Sequence, residues 1–415
     1  MKRSTRIILI VCALIVLVCG GFLLREILRP HPIRVALVGL ESRQRDGFLR
    51  CFADFQETQP ILKGTGNLVE ILEYASISDL LPLIDAPRLF APVPDLVIAP
   101  EGLAITRNAR LFAPIPHDIT NRAPSSLRIG LSRENRLRAL PLLLNSLEIA
   151  GNRIWDSTLG HTPGSRTWFD SLRAVHGSMD KRIYVPLLVT GADDELLSHV
   201  ISALILEKGG LESYTTICNT LAQSSEAATV QNSIPSGRFP AWDYALDTLE
   251  SWAQDGILPG HWLEMGKDDQ AILLEEGRVI GLVQTLACRR DMPYQHIFNF
   301  RAAPFPAAMD GMTSHSTLLA PAIVAMLPEA SRRRDLVGNA LLNWMSTGDP
   351  LWQLARDCGW AAATNGTRQP DIQAMDSFSR SASAFSTVNG FMFDGFTDRS
   401  AAANFMATLR AQLSR

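Results

Sequence analysis

Short apolar runs that read as strands covered on both faces alternate along this chain with stretches of helical period, and that alternation places it in the α/β class. The first run, IRVALVGL from Ile33, stands between Pro32 and the charged ESRQRDG. An uninterrupted apolar run of this length is what a strand buried on both faces requires. A helical stretch with apolar residues at 48, 49, 52 and 55 follows, then the strand-like NLVEILEY and DLVIA at 95–99. Further on, IYVPLLV, VIGLVQT and IFNFRAAPFP read as strands. ADDELLSHVISALILEKGG reads as a helix capped by Asp193 or Asp194 and stopped at Gly209-Gly210, with apolar positions at 196, 197, 200, 201, 204 and 205. AWDYALDTLESWAQDG puts Trp242, Leu246, Leu249 and Trp252 on one helical face, so its tryptophans read as core. DPLWQLARDCGW reads as a helix with Asp349 as its cap and Pro350 at its first position. The pattern predicts mostly parallel sheets. LRALPLLLNSL at 137–147 carries a proline and predicts a strand crossing between two parts of the fold, and the serine-rich SFSRSASAFS at 377–386 predicts a loop.

At 415 residues the chain exceeds what one hydrophobic core supports, so it divides into two or three domains or one fold of two lobes. With 47% hydrophobic and 20% charged residues it is neither disordered nor a multi-span membrane protein. A formal charge of -3 and the lack of a Lys/Arg block that would grip a polyanion exclude nucleic-acid binding as its work. Lys2, Arg3 and Arg6 precede an uncharged apolar run of 18 residues from Ile7 to Leu24, closed by Arg25, Glu26 and Arg29. Such a run spans about 27 Å as a helix and, with its basic flank left inside, predicts export of the body. An uncleaved anchor, a cleaved secretory signal and a lipoprotein signal processed at Cys19 all fit this segment, although Val18 stands where a lipidation site usually has a small residue. Either surviving tether leaves the body extracytoplasmic and held to the membrane. Residues 1–29 hold five basic and one acidic side chain, which leaves 34 basic against 41 acidic, or -7, for the rest. Cys51, Cys218, Cys288 and Cys358 fall in no CxxC spacing and read as buried thiols, with one or two disulfides as the alternative.

Signals of chemistry are few. The histidines form no HExxH or i, i+4 pair, there is no GxSxG elbow, and Lys63-Gly64-Thr65-Gly66-Asn67 lacks the ending of a phosphate loop, so neither metal nor cofactor is expected. Asp193-Asp194-Glu195 reads as helix capping and dipole compensation, and Asn365-Gly366-Thr367 as a turn.

Taken in order, the segments resemble the extracellular solute-binding protein family that serves ABC importers of sugars and related solutes. PDLVIAP, LRALPLLLNSLEIAGNRIW, TPGSRTWFDSLRAV, AWDYALDTLESWAQDGILPG with DDQAILLEEGRVIGLVQT, FRAAPFPA and NALLNWMSTGDPLWQLARDCGWAAAT each resemble a phrase of that family, over residues 33 to 415. The resemblance implies a two-lobed periplasmic-binding-protein-like (type II) α/β fold with a central cleft, preceded by the N-terminal segment. It implies a first lobe begun by 30–143, a second begun by 144–300, a return to the first at 301–331, and a crossing helix with the rest of the second lobe at 332–415. It further implies capture of a small polar solute, a sugar by family, and delivery to an ABC permease rather than catalysis. Two departures stand out: Thr285-Leu286-Ala287-Cys288 occupies the place of a sugar-stacking aromatic, and Glu148 to Asn152 replaces the crossover asparagine and lysine. A scaffold that has lost its solute and serves a membrane partner is therefore the alternative. Loops at strand ends should face the cleft, which nominates Glu41, Arg43, Glu101, Asn145, Asp193, Gln284, Thr285 and Ser314, with Trp155 and Trp360 as stacking groups.

Overall fold

The computed structural model describes residues 32–58, 68–86, 93–128, 130–160, 162–178, 184–226, 234, 237–305 and 317–414. The run Ile7–Leu24 with Cys19, the loop with Ser314, and Lys63 to Asn67 lie outside them. Among the described residues no helix is long and apolar enough to cross a membrane.

Strand β1 (Ile33–Val38) is buried along nearly its whole length, as its unbroken apolar run requires. It pairs in parallel with β2 (Val69–Tyr74) on one side and β3 (Leu96–Pro100) on the other. A small hairpin, β4 (Ser132–Arg133) and β5 (Arg136–Leu137), turns on Glu134 and Asn135, both with positive φ. The chain then enters β6 (Leu140–Leu144), passes Asn145 and Ser146, and continues as β7 (Leu147–Asn152) in a different sheet. That second sheet adds β8 (Val185–Leu188), β9 (Val279–Thr285) and β10 (Phe300–Pro304), in the order β10-β7-β9-β8. After β11 (Leu318–Leu319) the chain returns to the first sheet as β12 (Ala322–Met326) and, past two helices, as β13 (Ala361–Ala362). The first sheet is thereby completed in the order β13-β6-β12-β3-β1-β2. A third crossing leads to β14 (Thr387–Val388), which pairs with β11 as a short parallel ribbon, and to the final helix Arg399–Leu413.

Each sheet carries its own core, so the protein has two lobes. The first core gathers β1, β3, β6 and β12 with helices Ser42–Thr58, Asn339–Met345 and Gly348–Cys358. The second gathers helices on both sides of Gly210, the helix Pro240–Gln254 and the final helix. All core residues fall between 33 and 409.

Four expectations are corrected. The sheets are mixed rather than mostly parallel: β12 runs antiparallel to β3 and β6, and β7 antiparallel to β9 and β10. Strands that re-enter a lobe after a crossing come back from the hinge end, so they run against those that left. Residues 332–363, expected in the second lobe, pack on the first core, while β10 and β11 stay with the second lobe. The serine-rich stretch is not a loop; it forms most of the helix Ile372–Ser383, capped by Asp371, whose side chain accepts from the Ala374 amide at 2.8 Å. Ser377 and Ser381 are fully buried there, and small side chains are what allow that helix to lie close against the crossing. The helix Gly348–Cys358 starts after Thr347, so Asp349 sits within its first turn instead of capping it. By contrast, Asp193 does cap its helix, accepting from the Leu196 amide at 3.1 Å, and Gly209-Gly210 does break it, with Gly210 at φ 64° before a second helical stretch continues. Cys51, Cys218, Cys288 and Cys358 are free thiols.

Pro141 lies inside β6 between β13 and β12, where the ladder with β12 is irregular: Ile323 faces Leu143 but Val324 faces Pro141. The missing proline donor therefore falls where the regular pairing is already broken.

Candidate functional site

The two lobes face each other across a cavity of about 560 Å³. The first lobe contributes the loop after β1 (Gly39, Leu40, Glu41), Gln44 of the next helix, Pro100 and Glu101 at the end of β3, and Trp360. The second contributes Asp193 to Glu195 at a helix start, Met392 and Phe393 after β14, and Arg399 with Ala402 and Ala403 of the final helix. Because β1 and β3 are parallel, their C-terminal ends open on the same side, which is why residues 60 positions apart in sequence share this wall.

Four sequence-predicted residues meet here: Glu41, Glu101, Asp193 and Trp360. The others do not. Arg43 turns aside, pairing with Asp291 and donating to the Asp357 carbonyl at 3.0 Å. Asn145 is buried in the hinge, where its amide donates to the Pro321 carbonyl and its side-chain oxygen accepts from the Ala287 amide. Gln284 is fully buried within the second sheet, and Thr285 caps the helix Leu286–Asp291 by accepting from the Cys288 amide. Trp155 packs edge-on against Tyr184 beside the second core. Ser314 lies outside the described residues.

Sequence reasoning missed Gln44, Glu195, Phe393 and Arg399. Glu195 is legible as part of the acidic run, but capping and dipole compensation alone do not mark it as a cavity residue. Phe393 and Arg399 follow the third crossing, whose landing place no local pattern marks. The aromatic side chains lining the cavity are Phe393 from the second lobe and Trp360 from the first.

The cavity is rich in carboxyl groups. Glu101 is half-buried, and its carboxyl is pushed up to about 8, first by burial and then by the neighbouring Asp394 carboxylate, against a hydrogen bond with Asn389. Glu195 is pushed up to about 7 by burial and then by Glu41 and Asp193, while Arg399 and Lys267 act the other way. Carboxyls poised in this range donate as well as accept, which suits hydroxyl partners. Behind this wall, Asp394 accepts from the Tyr214 hydroxyl at 2.9 Å and from both the amide and the side chain of Asn389. His199 lies 3.1 Å from the Asn389 carbonyl, and burial pulls its imidazole down to about 4, so the neutral ring carries its proton on Nε2. Asn389 also accepts from the Ala322 amide at the start of β12. The network thus links the cavity wall to the hinge.

Contacts also cross the mouth of the cavity. Arg399 donates to the Gly39 carbonyl at 3.0 Å, and the Ser78 hydroxyl to the Thr397 carbonyl at 3.1 Å. Gly102 passes so close that a Cβ there would stand 2.8 Å from the Phe393 carbonyl oxygen. Among the described residues, no group of three or more His, Cys, Asp or Glu is arranged to hold a metal ion.

No family model matches the sequence, and no curated protein matches it. Solved structures do share its fold. The bacterial solute receptor AcbH, described as having an exclusive preference for β-D-galactopyranose, is 14% identical over 92% of this chain and 98% of its own, with a TM-score of 0.68. A putative binding protein MsmE from Bacillus subtilis, in an open conformation, is 14% identical over 93% and 96%, with a TM-score of 0.67. A probable secreted solute-binding lipoprotein from Streptomyces coelicolor is 14% identical over 93% and 98%, at 0.64. At such identities the likeness is one of fold, and the chain has the two-lobed fold of solute-binding proteins.

Proposed function

We propose that the protein is a membrane-tethered, extracytoplasmic receptor that closes its two lobes on a small, polar, carbohydrate-like solute and delivers it to an ABC permease. The observation that carries this reading is the cavity itself: its walls come from both lobes, and its carboxyls and aromatic faces are the groups that hold hydroxyls and the apolar faces of sugar rings. A volume of about 560 Å³ suits a ligand of small-molecule size. The sugar receptors that share the fold support the same reading, as does a secreted lipoprotein among them for the location. A solute touching both Trp360 and Phe393 favours the closed state by the contacts available only there.

Thermal unfolding against a panel of sugars, polyols, amino acids, oligopeptides and phosphorylated metabolites tests it, since binding to the native state raises stability by mass action. A shift of several degrees with sugars or polyols is expected. No shift with any class would favour the second reading, a scaffold closed by its own contacts that serves a membrane partner. That alternative is supported by the direct bonds from Arg399 to Gly39 and from Ser78 to Thr397 across the mouth.

A further inference from the structure

The chain enters the fold at Pro32, at the end of the first sheet opposite the cavity. The Pro32 carbonyl accepts from Arg333 Nη1 at 2.9 Å, and Arg333 also lies 3.9 Å from Asp95, which the Ser331 hydroxyl holds at 2.9 Å. The root of the N-terminal segment is thus fastened to the turn that carries Arg332 and Arg333, part of the chain's one run of three basic residues, 332–334. Two large apolar side chains stand exposed beside it: Leu336 at 74% and Leu68 at 70%, the latter's carbonyl accepting from the Ile33 amide. Arg332 is exposed as well, and the neighbouring acid Glu70 is paired with Arg34 at 2.8 Å.

Seven residues, Arg25 to His31, separate the apolar run Ile7–Leu24 from Pro32. Fully extended they reach about 25 Å. If that run is the tether, as the proposed function holds, this face of the first lobe cannot leave the bilayer surface by more than that reach. The body as a whole carries -7 outside residues 1–29 and is repelled by anionic lipid. A local basic and apolar patch at the root of the tether therefore decides which way the body lies. We propose that the surface formed by Arg332, Arg333, Leu336 and Leu68 docks on the anionic phospholipid headgroups of the tethering membrane. Docked in this way, the cavity points away from the bilayer, because β1 separates it from the tether by about 20 Å of strand. Passing a solute to a permease in that membrane then requires the body to come off the headgroups with its tether near full extension.

The test uses the chain from His31 onward, which keeps both cores because all their residues lie between 33 and 409. Sedimentation with vesicles of phosphatidylcholine containing phosphatidylglycerol, against phosphatidylcholine alone, measures its partition. Binding that depends on phosphatidylglycerol is expected, and the double substitution Arg332→Glu/Leu336→Glu is expected to weaken it about tenfold. Arg238→Glu, a charge reversal at an exposed site of the second lobe, should leave partition unchanged. Equal binding to both vesicles, equal loss in both variants, or a change in self-association without lipid dependence would overturn the proposal. Retention of the full chain in carbonate-washed membranes reports separately on the tether, so failure of the tether and failure of the docking face are told apart.

Discussion

Glu101 and Glu195 make the cavity sensitive to pH, and the sign follows from their raised values. An acid whose folded-state value lies above its unfolded one is protonated in the native protein while the unfolded chain has already ionised. Its stabilising contribution is whole below about 4.5 and is lost as pH rises through the folded value. For Glu195 that window runs from about 4.5 to about 7. Glu195→Gln should therefore melt roughly 2 °C higher than the native protein at pH 8 and match it at pH 4.5, as read by calorimetry. The modest size reflects a half-buried group. Glu101 speaks to binding. A protonated Glu101 that donates to a solute hydroxyl loses that bond above pH 8, so affinity measured by isothermal titration should fall across pH 7 to 9. Glu101→Gln should flatten the fall, and an unchanged slope would remove Glu101 from the recognition set. Trp360 and Glu41 were legible because they follow strand-like or helix-like runs that end at the cleft. Gln284 stands near the end of such a run too, yet it is fully buried within the second sheet.

The helix Ile372–Ser383 shows what local pattern leaves out. Serines are indifferent helix formers, and ten residues rich in them carry no apolar stripe strong enough to announce a helix. What stabilises it lies far away in sequence: Ser377 shares a 2.6 Å hydrogen bond with Ser146, and Arg380 donates to the buried Glu148 at 2.8 Å. Replacing Ser377 by Val strands the Ser146 hydroxyl and should cost about 1 to 3 kcal/mol in urea unfolding. Ser383→Ala, on the exposed side of the same helix, should change stability by less than about 0.5 kcal/mol. Equal effects would place the stabilisation in helix propensity instead. The first strand, the capped helix after Asp193 and the tryptophan-bearing helix Pro240–Gln254 were legible because burial alone writes their periodicity. Strand direction was not, since an apolar run reads the same whichever way its neighbour points.

At the scale of the molecule, the lobes touch where the chain is thinnest. Gly102 lies against the Phe393 backbone with no room for a side chain, so Gly102→Leu should wedge the lobes apart. Small-angle scattering should then show a larger radius of gyration, with unfolding temperature little changed because both cores remain intact. The ion pair of Arg43 with Asp291 joins exposed side chains and is a lesser brace, so Arg43→Ala should leave the scattering profile unaltered. The chain order of the two sheets carries a separate consequence. β6 is laid down by residue 144, but its neighbours β12 and β13 arrive only at 322 and 361. Through most of synthesis, the first sheet presents an open edge that nothing nearby in the chain can cover. Early folding of the first sheet is thus limited to β1, β2 and β3, and the molecule matures in one late step, when its last hundred residues seal both halves at once.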